Sequence, residues 1–331
     1  MAVEPDLYTR LRALRPKSKE PSSATVLNNW IAYAERDMTG VEGGRLGWLV
    51  ASAVVTAALQ RAVFEDGTSR FLLKGGTMLQ HRLAVPTRTT KDVDGLVRGD
   101  IESFLAVLDD VLADPWGTVG FRRGEVEVIE TPAKVIKPRR VQVTLMLRGV
   151  TWRKIQVELS PDEGHAGEHA DVLRAPELAG FGLPDPDRLM ALTMRYQIAQ
   201  KLHASTDPHQ PPQYVNDRAR DVVDLMVLKG LVEATGSPGL GDIRVAALDI
   251  FAARAVEATT LHRIVRDWPP TLTAHPHWAE DYAKAAKETR LDMPLDVAVR
   301  VINGWITAID EAAGEIPASR VDQGLTASPG F

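Results

Sequence analysis

The 331-residue chain contains no cysteine. That absence excludes disulfide scaffolds, thiolate nucleophiles, Cys-ligated zinc and iron–sulfur clusters, and it agrees with a reducing compartment. Aromatic residues are sparse, at 6%. Long apolar runs are missing too: Leu46 to Leu59 is the longest, and it falls about one-third short of the roughly 20 residues a membrane helix needs. Met1 to Lys19 mixes Glu4, Asp6, Arg10, Arg12 and Arg15 with no apolar stretch, so no secretion signal is legible. The expectation is a cytoplasmic protein with no membrane partner. Nor is there a large excess of one charge: 39 Lys and Arg against 44 Asp and Glu leave −5, which argues against a basic coat for nucleic acid.

What is present is an ordinary globular composition, 44% apolar and 25% charged, in enough chain for roughly two domains of about 150 residues. The charge is uneven. Arg70 to Ser160 holds 15 basic and 11 acidic residues, a local +4 inside a remainder of −9. Such a segment suits a phosphate-rich ligand. Arg122, Arg123, Lys134, Lys137, Arg139 and Arg140 serve equally well as solvated strand edges that discourage aggregation, and both readings stay open.

Apolar periodicity predicts helices over 24–38 and 41–64, the second largely buried. Phe71 to Lys74 reads as a short strand ending at Gly75-Gly76, followed by a helix from Thr77 to Ala84. Asp92 to Val97 alternates with the period of a half-buried strand. A helix over 101–112 follows, with Asp100 as N-cap, then strands over 119–130, 139–148 and 151–159. A Gly/Pro/Asp-rich connector, 161–186, leads to helices at 187–204, 217–229, 243–258, 277–289 and 294–313, and then a frayed tail from Ser319 to Phe331. The fold class is therefore α+β: a mixed sheet flanked by helices over residues 1–165, then an all-helical domain over 166–331.

The chemistry concentrates in Lys74-Gly75-Gly76-Thr77 and, sixteen positions after Gly76, Asp92-Val93-Asp94. At i and i+2 of a strand, both aspartates leave one face. At an effective dielectric of ~20, two such charges 4 Å apart repel by about 4 kcal/mol. The pair therefore requires a divalent metal, protonation or open solvent, and Mg²⁺ (or Mn²⁺) takes oxygen ligands of this kind beside phosphate oxygens. Gly75, Gly76 and Thr77 at a helix N-terminus present backbone N–H groups and a hydroxyl to a phosphate. A third carboxylate is offered by Glu158, which alternates away from Ile155, Val157 and Leu159. Phosphate at the glycines and metal at Asp92, Asp94 and Glu158 amounts to metal-assisted phosphoryl or nucleotidyl transfer.

These residues resemble the DNA polymerase β-like nucleotidyltransferase superfamily, and in particular the AbiEii/AbiGii-type toxins of bacterial toxin–antitoxin systems. The features that carry the resemblance are Lys74-Gly75-Gly76-Thr77, the string Thr90-Lys91-Asp92-Val93-Asp94 preceded by Arg88, the strand ending in Glu158, and two helical motifs. Those motifs are Gln200-Lys201-Leu202-His203-Ala204 and Arg220-Asp221-Val222-Val223-Asp224-Leu225, and the resemblance spans about residues 45–230. It implies an NTP-dependent enzyme with Lys201 and Asp221 in the active site, Lys201 neutralising the triphosphate and Asp221 positioning Lys201 or the acceptor. Lys74 joins the nucleotide-binding set. An RNA acceptor, the 3′ end of tRNA first, and a cognate antitoxin are also implied. Two departures stand out: Glu158 occupies a position more often held by Asp, and the long gap between glycines and aspartates is that of the toxin branch. Thr90, two residues before Asp92 on the same strand face, is the expected site of silencing by phosphate. NMP transfer to a protein or small-molecule hydroxyl, and a non-catalytic partner-binding module of the same fold, are the alternatives.

His165-Ala166-Gly167-Glu168-His169 matches the H-x-x-E-H string of some zinc peptidases. It sits in a glycine-punctuated connector, which denies it the regular helix such a site needs. The seven tryptophans read as packing residues rather than base-stacking platforms.

Overall fold

A computed structural model of the chain describes residues 6–38, 44–82, 90–212 and 214–312. Arg88 and the tail after residue 312 lie outside the described residues. Three helices come first: α1 (Leu7–Ala13), α2 (Ala24–Asp37) and α3 (Arg45–Leu59). Then follow β1 (Phe71–Lys74), α4 (Gly75–Arg82), β2 (Asp92–Val97), α5 (Ile101–Ala113), β3 (Val119–Val128), β4 (Arg139–Leu147) and β5 (Val150–Pro161). Two short strands, β6 (Ala170–Leu173) and β7 (Leu189–Leu192), precede α6 (Met194–Ser205), α7 (Ala219–Thr235), α8 (Leu240–Thr260), α9 (Ala279–Thr289) and α10 (Leu295–Glu311). The α+β class read from the sequence holds: one seven-stranded mixed sheet, ordered β3-β4-β5-β2-β1-β7-β6, is flanked by helices.

Strand alternation assigns the two faces. Phe71, Leu73, Val93, Val97, Val141, Val143, Ile155, Val157 and Leu159 are all buried in the core shared with Leu49, Val50 and Val54 of α3 and Phe104 and Leu108 of α5. The neighbours between them, among them Leu72 and Leu96, face the other way and pack on Tyr196 and Ala199 of α6 and Ala246, Ala247 and Ile250 of α8. Helix α5 begins where Asp100 accepts a hydrogen bond from the Ser103 amide at 2.7 Å, as its N-cap reading requires.

One expected helix is corrected. The segment 187–204 is not continuous: Leu189–Leu192 is strand β7, with Ala191 in parallel register to Leu73 of β1, and the helix starts at Met194. A four-residue apolar run carries no helical or strand period of its own, so pairing decides it. The Gln60 side chain fixes β7 from the end of α3, donating to the Met190 carbonyl at 2.6 Å and accepting from its amide at 2.9 Å. Beta strands thus continue past residue 165, because β6 pairs antiparallel with β7. Among the described residues no helix is long and apolar enough to cross a membrane.

Candidate active site

Register across the sheet brings the sequence-predicted residues into line. Lys74 pairs with Asp94 across β1 and β2, Asp94 with Glu158 across β2 and β5, and Glu158 with Arg140 across β5 and β4. Directly opposed residues share a face, so a charged row, Lys74–Asp94–Glu158–Arg140, runs over the face turned toward α6 and α8. One step along, Asp92 pairs with Gln156, whose side-chain amide donates to Asp92 Oδ1 at 2.8 Å.

Gly75 lies directly under the row. Its φ is +66°, and a Cβ there would collide with Asp94 Oδ2, so only glycine admits the carboxylate so close to the first turn of α4. The Gly75 amide donates to Gln197 Oε1 of α6 at 3.2 Å. Among the described residues none donates a hydrogen bond to the Asp94 carboxylate. Burial, with Glu158 and Asp92 adding to it against the pull of Lys74 and Lys201, lifts its pKa to about 6. Asp92 is raised by the same two influences, burial first and then Glu158. The neighbouring Lys74 is lowered by burial, opposed by Glu163 and Asp94.

Helices α6 and α7 close the site from above. Lys201 Nζ donates to Asp221 Oδ1 at 2.6 Å and to Asp224 Oδ2 at 2.7 Å, and all three residues are buried. Asp224 therefore joins the pair expected from sequence, whereas Asp217 projects outward to His277. A third cluster lies on the cavity wall: Glu163 is buried against Lys134 and Arg254, and Lys134 also reaches Glu257 at 3.1 Å. Burial opposes the ionised form of Glu163, but Arg254, Lys134 and Lys74 together keep its pKa below the usual range.

Between these groups is a cavity of about 650 Å³, lined by Lys74, Gly75, Gly76, Asp94 and Glu158 on the sheet side and by residues of α6, α7, α8 and the β3–β4 loop. The size suits a nucleotide-scale ligand. Thr77 is not part of that lining: it is fully buried, and its hydroxyl donates to the Asp92 carbonyl at 2.7 Å, bracing the start of β2. Thr90 is buried as well, its hydroxyl donating to the same carbonyl at 3.2 Å. Of the six basic residues singled out in the segment, four are matched by carboxylates: Arg123 pairs with Asp109, Arg139 with Glu102, Lys134 with Glu163, and Arg140 with Glu158. His165 of the H-x-x-E-H string bonds Asp249 at 2.7 Å, off a regular helix.

The donor set fits a hard divalent cation in part. Asp92 and Asp94 supply carboxylate oxygens on one face, the ligand type Mg²⁺ prefers, and among the described residues nothing donates a hydrogen bond to Asp94 to satisfy its charge. Glu158, however, is turned to Arg140 at 2.7 Å. Among the described residues no group of three His, Cys, Asp or Glu is assembled around a common point.

Sequence reasoning missed Gln197, Glu163, Arg254 and Arg218. Arg218 had a signal, standing three residues before Asp221 and so one turn away on the α7 approach. Glu163 and Arg254 had none, because no local spacing announces a pair brought together only by the packing of α8 on the sheet.

A glycine-entered helix between two strands, with a paired-aspartate strand beside it and a cationic cavity above, is the arrangement of a nucleotidyltransferase. The profile of the AbiEii family, nucleotidyl transferase toxins of type IV toxin–antitoxin systems, matches residues 57–315. The chain belongs to that family, which makes it a nucleotidyltransferase toxin with a cognate antitoxin. No curated protein matches it in sequence. Several solved structures are similar to it, two of them as follows. The nucleotidyltransferase toxin MenT4 from Mycobacterium tuberculosis H37Rv matches at 14% identity and a TM-score of 0.44, over 87% of this chain and 99% of that one. An antigenic nucleotidyltransferase-like protein from Paracoccidioides brasiliensis matches at 12% and 0.33, over 65% and 94%.

Proposed function

We propose that the protein transfers a nucleoside monophosphate from NTP to an RNA hydroxyl, the 3′ end of tRNA being the first candidate. The observation that carries the reading is the Lys74–Asp94–Glu158 row lying against Gly75 at the floor of a nucleotide-sized cavity. In the reaction the acceptor oxygen bonds the α-phosphorus, the α–β bridge breaks, and pyrophosphate leaves. Asp92 and Asp94 would hold Mg²⁺ or Mn²⁺, with Glu158 as the neighbouring third carboxylate. When bound, the ion polarises the phosphoryl oxygens and eases ionisation of the acceptor hydroxyl.

The remaining work falls to the chain itself. Gly75 and Gly76 allow close approach of the polyphosphate to the N-terminus of α4, and Lys74 adds a half-buried positive charge beside it. Lys201, fastened to Asp221, fixes α6 over the row. Thr77 holds the β2 backbone so that Asp92 and Asp94 keep their orientation. The RNA reading draws on the family resemblance, since Arg123, Lys134, Arg139 and Arg140 of the basic segment are already paired with carboxylates.

Incubation with each radiolabelled NTP, total RNA and total protein separates the acceptors. Label on the 3′ end of small RNA is the expected result. Label confined to the protein fraction overturns the RNA acceptor in favour of transfer to a protein hydroxyl. Chelation with EDTA is expected to abolish transfer, and undiminished transfer overturns the metal assignment.

A further inference from the structure

Seven cationic side chains line the cavity, yet most of them are already spent. Lys134 and Arg254 are held by Glu163 and Glu257, and Arg266 by Asp207. Lys201 is closely held as well: its ammonium sits between two buried carboxylates at 2.6 and 2.7 Å. Moving Lys201 toward the ligand breaks two buried charge-assisted hydrogen bonds.

Arg218 differs from all of these. Its guanidinium lines the cavity, its side chain is 56% exposed, and its nearest carboxylate oxygen, Asp221 Oδ2, is 3.8 Å away, beyond hydrogen-bond distance. The backbone is fixed independently of the side chain, because the Arg218 amide donates to Asn216 Oδ1 at 3.2 Å. Asp221 foremost, and Asp207 and Asp94 with it, keep the guanidinium pKa above its usual range. Asp94 is therefore within electrostatic reach. The other loosely held cation of this wall, Arg263, is stacked 4.7 Å over the Tyr214 ring.

We infer that Arg218, and not Lys201, binds the β- and γ-phosphates of the incoming NTP and then the departing pyrophosphate, while Lys201 is a positioning residue that ties α6 to α7. A guanidinium presents parallel N–H donors that match two phosphate oxygens at once, which a buried ammonium with two carboxylates cannot do. The inference rests on the NTP-dependent reading of the cavity and refines which residue serves it.

The test uses the full chain and inorganic tripolyphosphate, with affinity measured by calorimetry and folding by thermal melting. Arg218→Ala is expected to weaken tripolyphosphate at least tenfold at an unchanged melting temperature, with Arg218→Lys in between and Arg263→Ala within about threefold of wild type. Lys201→Gln is expected to lower the melting temperature and to leave tripolyphosphate affinity within about threefold. Asp224→Asn covers the case in which that variant does not fold: with one tie of Lys201 removed, tripolyphosphate affinity should stay within about threefold, and a tenfold gain from the loosened ammonium overturns the assignment. Wild-type affinity in Arg218→Ala, or a tenfold loss in a folded Lys201→Gln, overturns the assignment alone. Failure of the wild-type chain to bind tripolyphosphate or NTP overturns the NTP reading together with it.

Discussion

The two faces of the sheet are made by the same strands and do opposite work. On one, Val93 and Val157 are in register and wholly buried against α3 and α5. On the other, one residue along, Asp94 and Glu158 are in register, two carboxylates side by side. Because side chains alternate strictly along a strand, six residues of β2 serve both a dry core and a charged floor. Stability is concentrated on the first face, and the second carries an electrostatic penalty that the apolar face offsets. A raised Asp94 pKa of about 6 is the visible part of that penalty.

The sharpest way to break the comparison is to exchange the faces at one position. Val157→Asp places a charge in the α3–α5 core with no partner. It should cost more than ~5 kcal/mol, enough to unfold a domain of ordinary stability. Gln156→Ala, one residue away on the charged face, should leave the melting temperature within a few degrees, as circular dichroism melts will show. Equal damage from both substitutions would mean that the faces are not divided as described.

Gly75→Ala acts at the border. The left-handed backbone costs roughly 1–2 kcal/mol, and the new methyl group must displace Asp94. A carboxylate moved by about 1 Å should lose on the order of 100-fold in nucleotide transfer. Transfer rate and melting temperature measured together check this, since activity must fall far more than stability.

The smallest effect is in pH. His81 is 2% exposed, its Nδ1 2.8 Å from the Tyr8 hydroxyl, and burial lowers its pKa to about 4. Unfolded, it titrates near 6.5. Its stabilising share is therefore complete above pH 6.5 and declines as pH falls toward 4, because only the unfolded chain takes up the proton. Between pH 7 and 5 that amounts to about 2 kcal/mol. His203, lowered by burial and by Arg266, works in the same direction, while Asp94 opposes both, since its raised pKa favours the folded state as pH falls below 6. Urea midpoints of His81→Phe at the two pH values isolate the His81 share: the variant should lose about 2 kcal/mol less than wild type.

Much of this was legible in the sequence wherever a local period existed. The alternation of 139–159 gave strands with the correct inward residues, and the i, i+2 aspartates placed themselves on one face. Spacing of i, i+4, i+7 alone would put Asp217, Asp221 and Asp224 on one helix face, yet Asp221 and Asp224 turn inward to Lys201, while Asp217, just before α7, meets His277 outside. Strand β7 was hidden because four apolar residues fit a helix as well as a strand, and only pairing with β1 decides. Thr77 misled, since a hydroxyl after two glycines fits a phosphate donor and a buried brace equally, and the brace is what packing selects. Arg140 holding Glu158 is likewise a cross-strand fact that no single segment contains.

The account depends on Asp94 being placed for chemistry and not for stability. Asp94→Asn preserves its shape while removing the charge, so NMP incorporation from labelled NTP should fall by at least ~10³ while the melting temperature holds or rises. Transfer at the wild-type rate, or inactivity that merely follows unfolding, would contradict it.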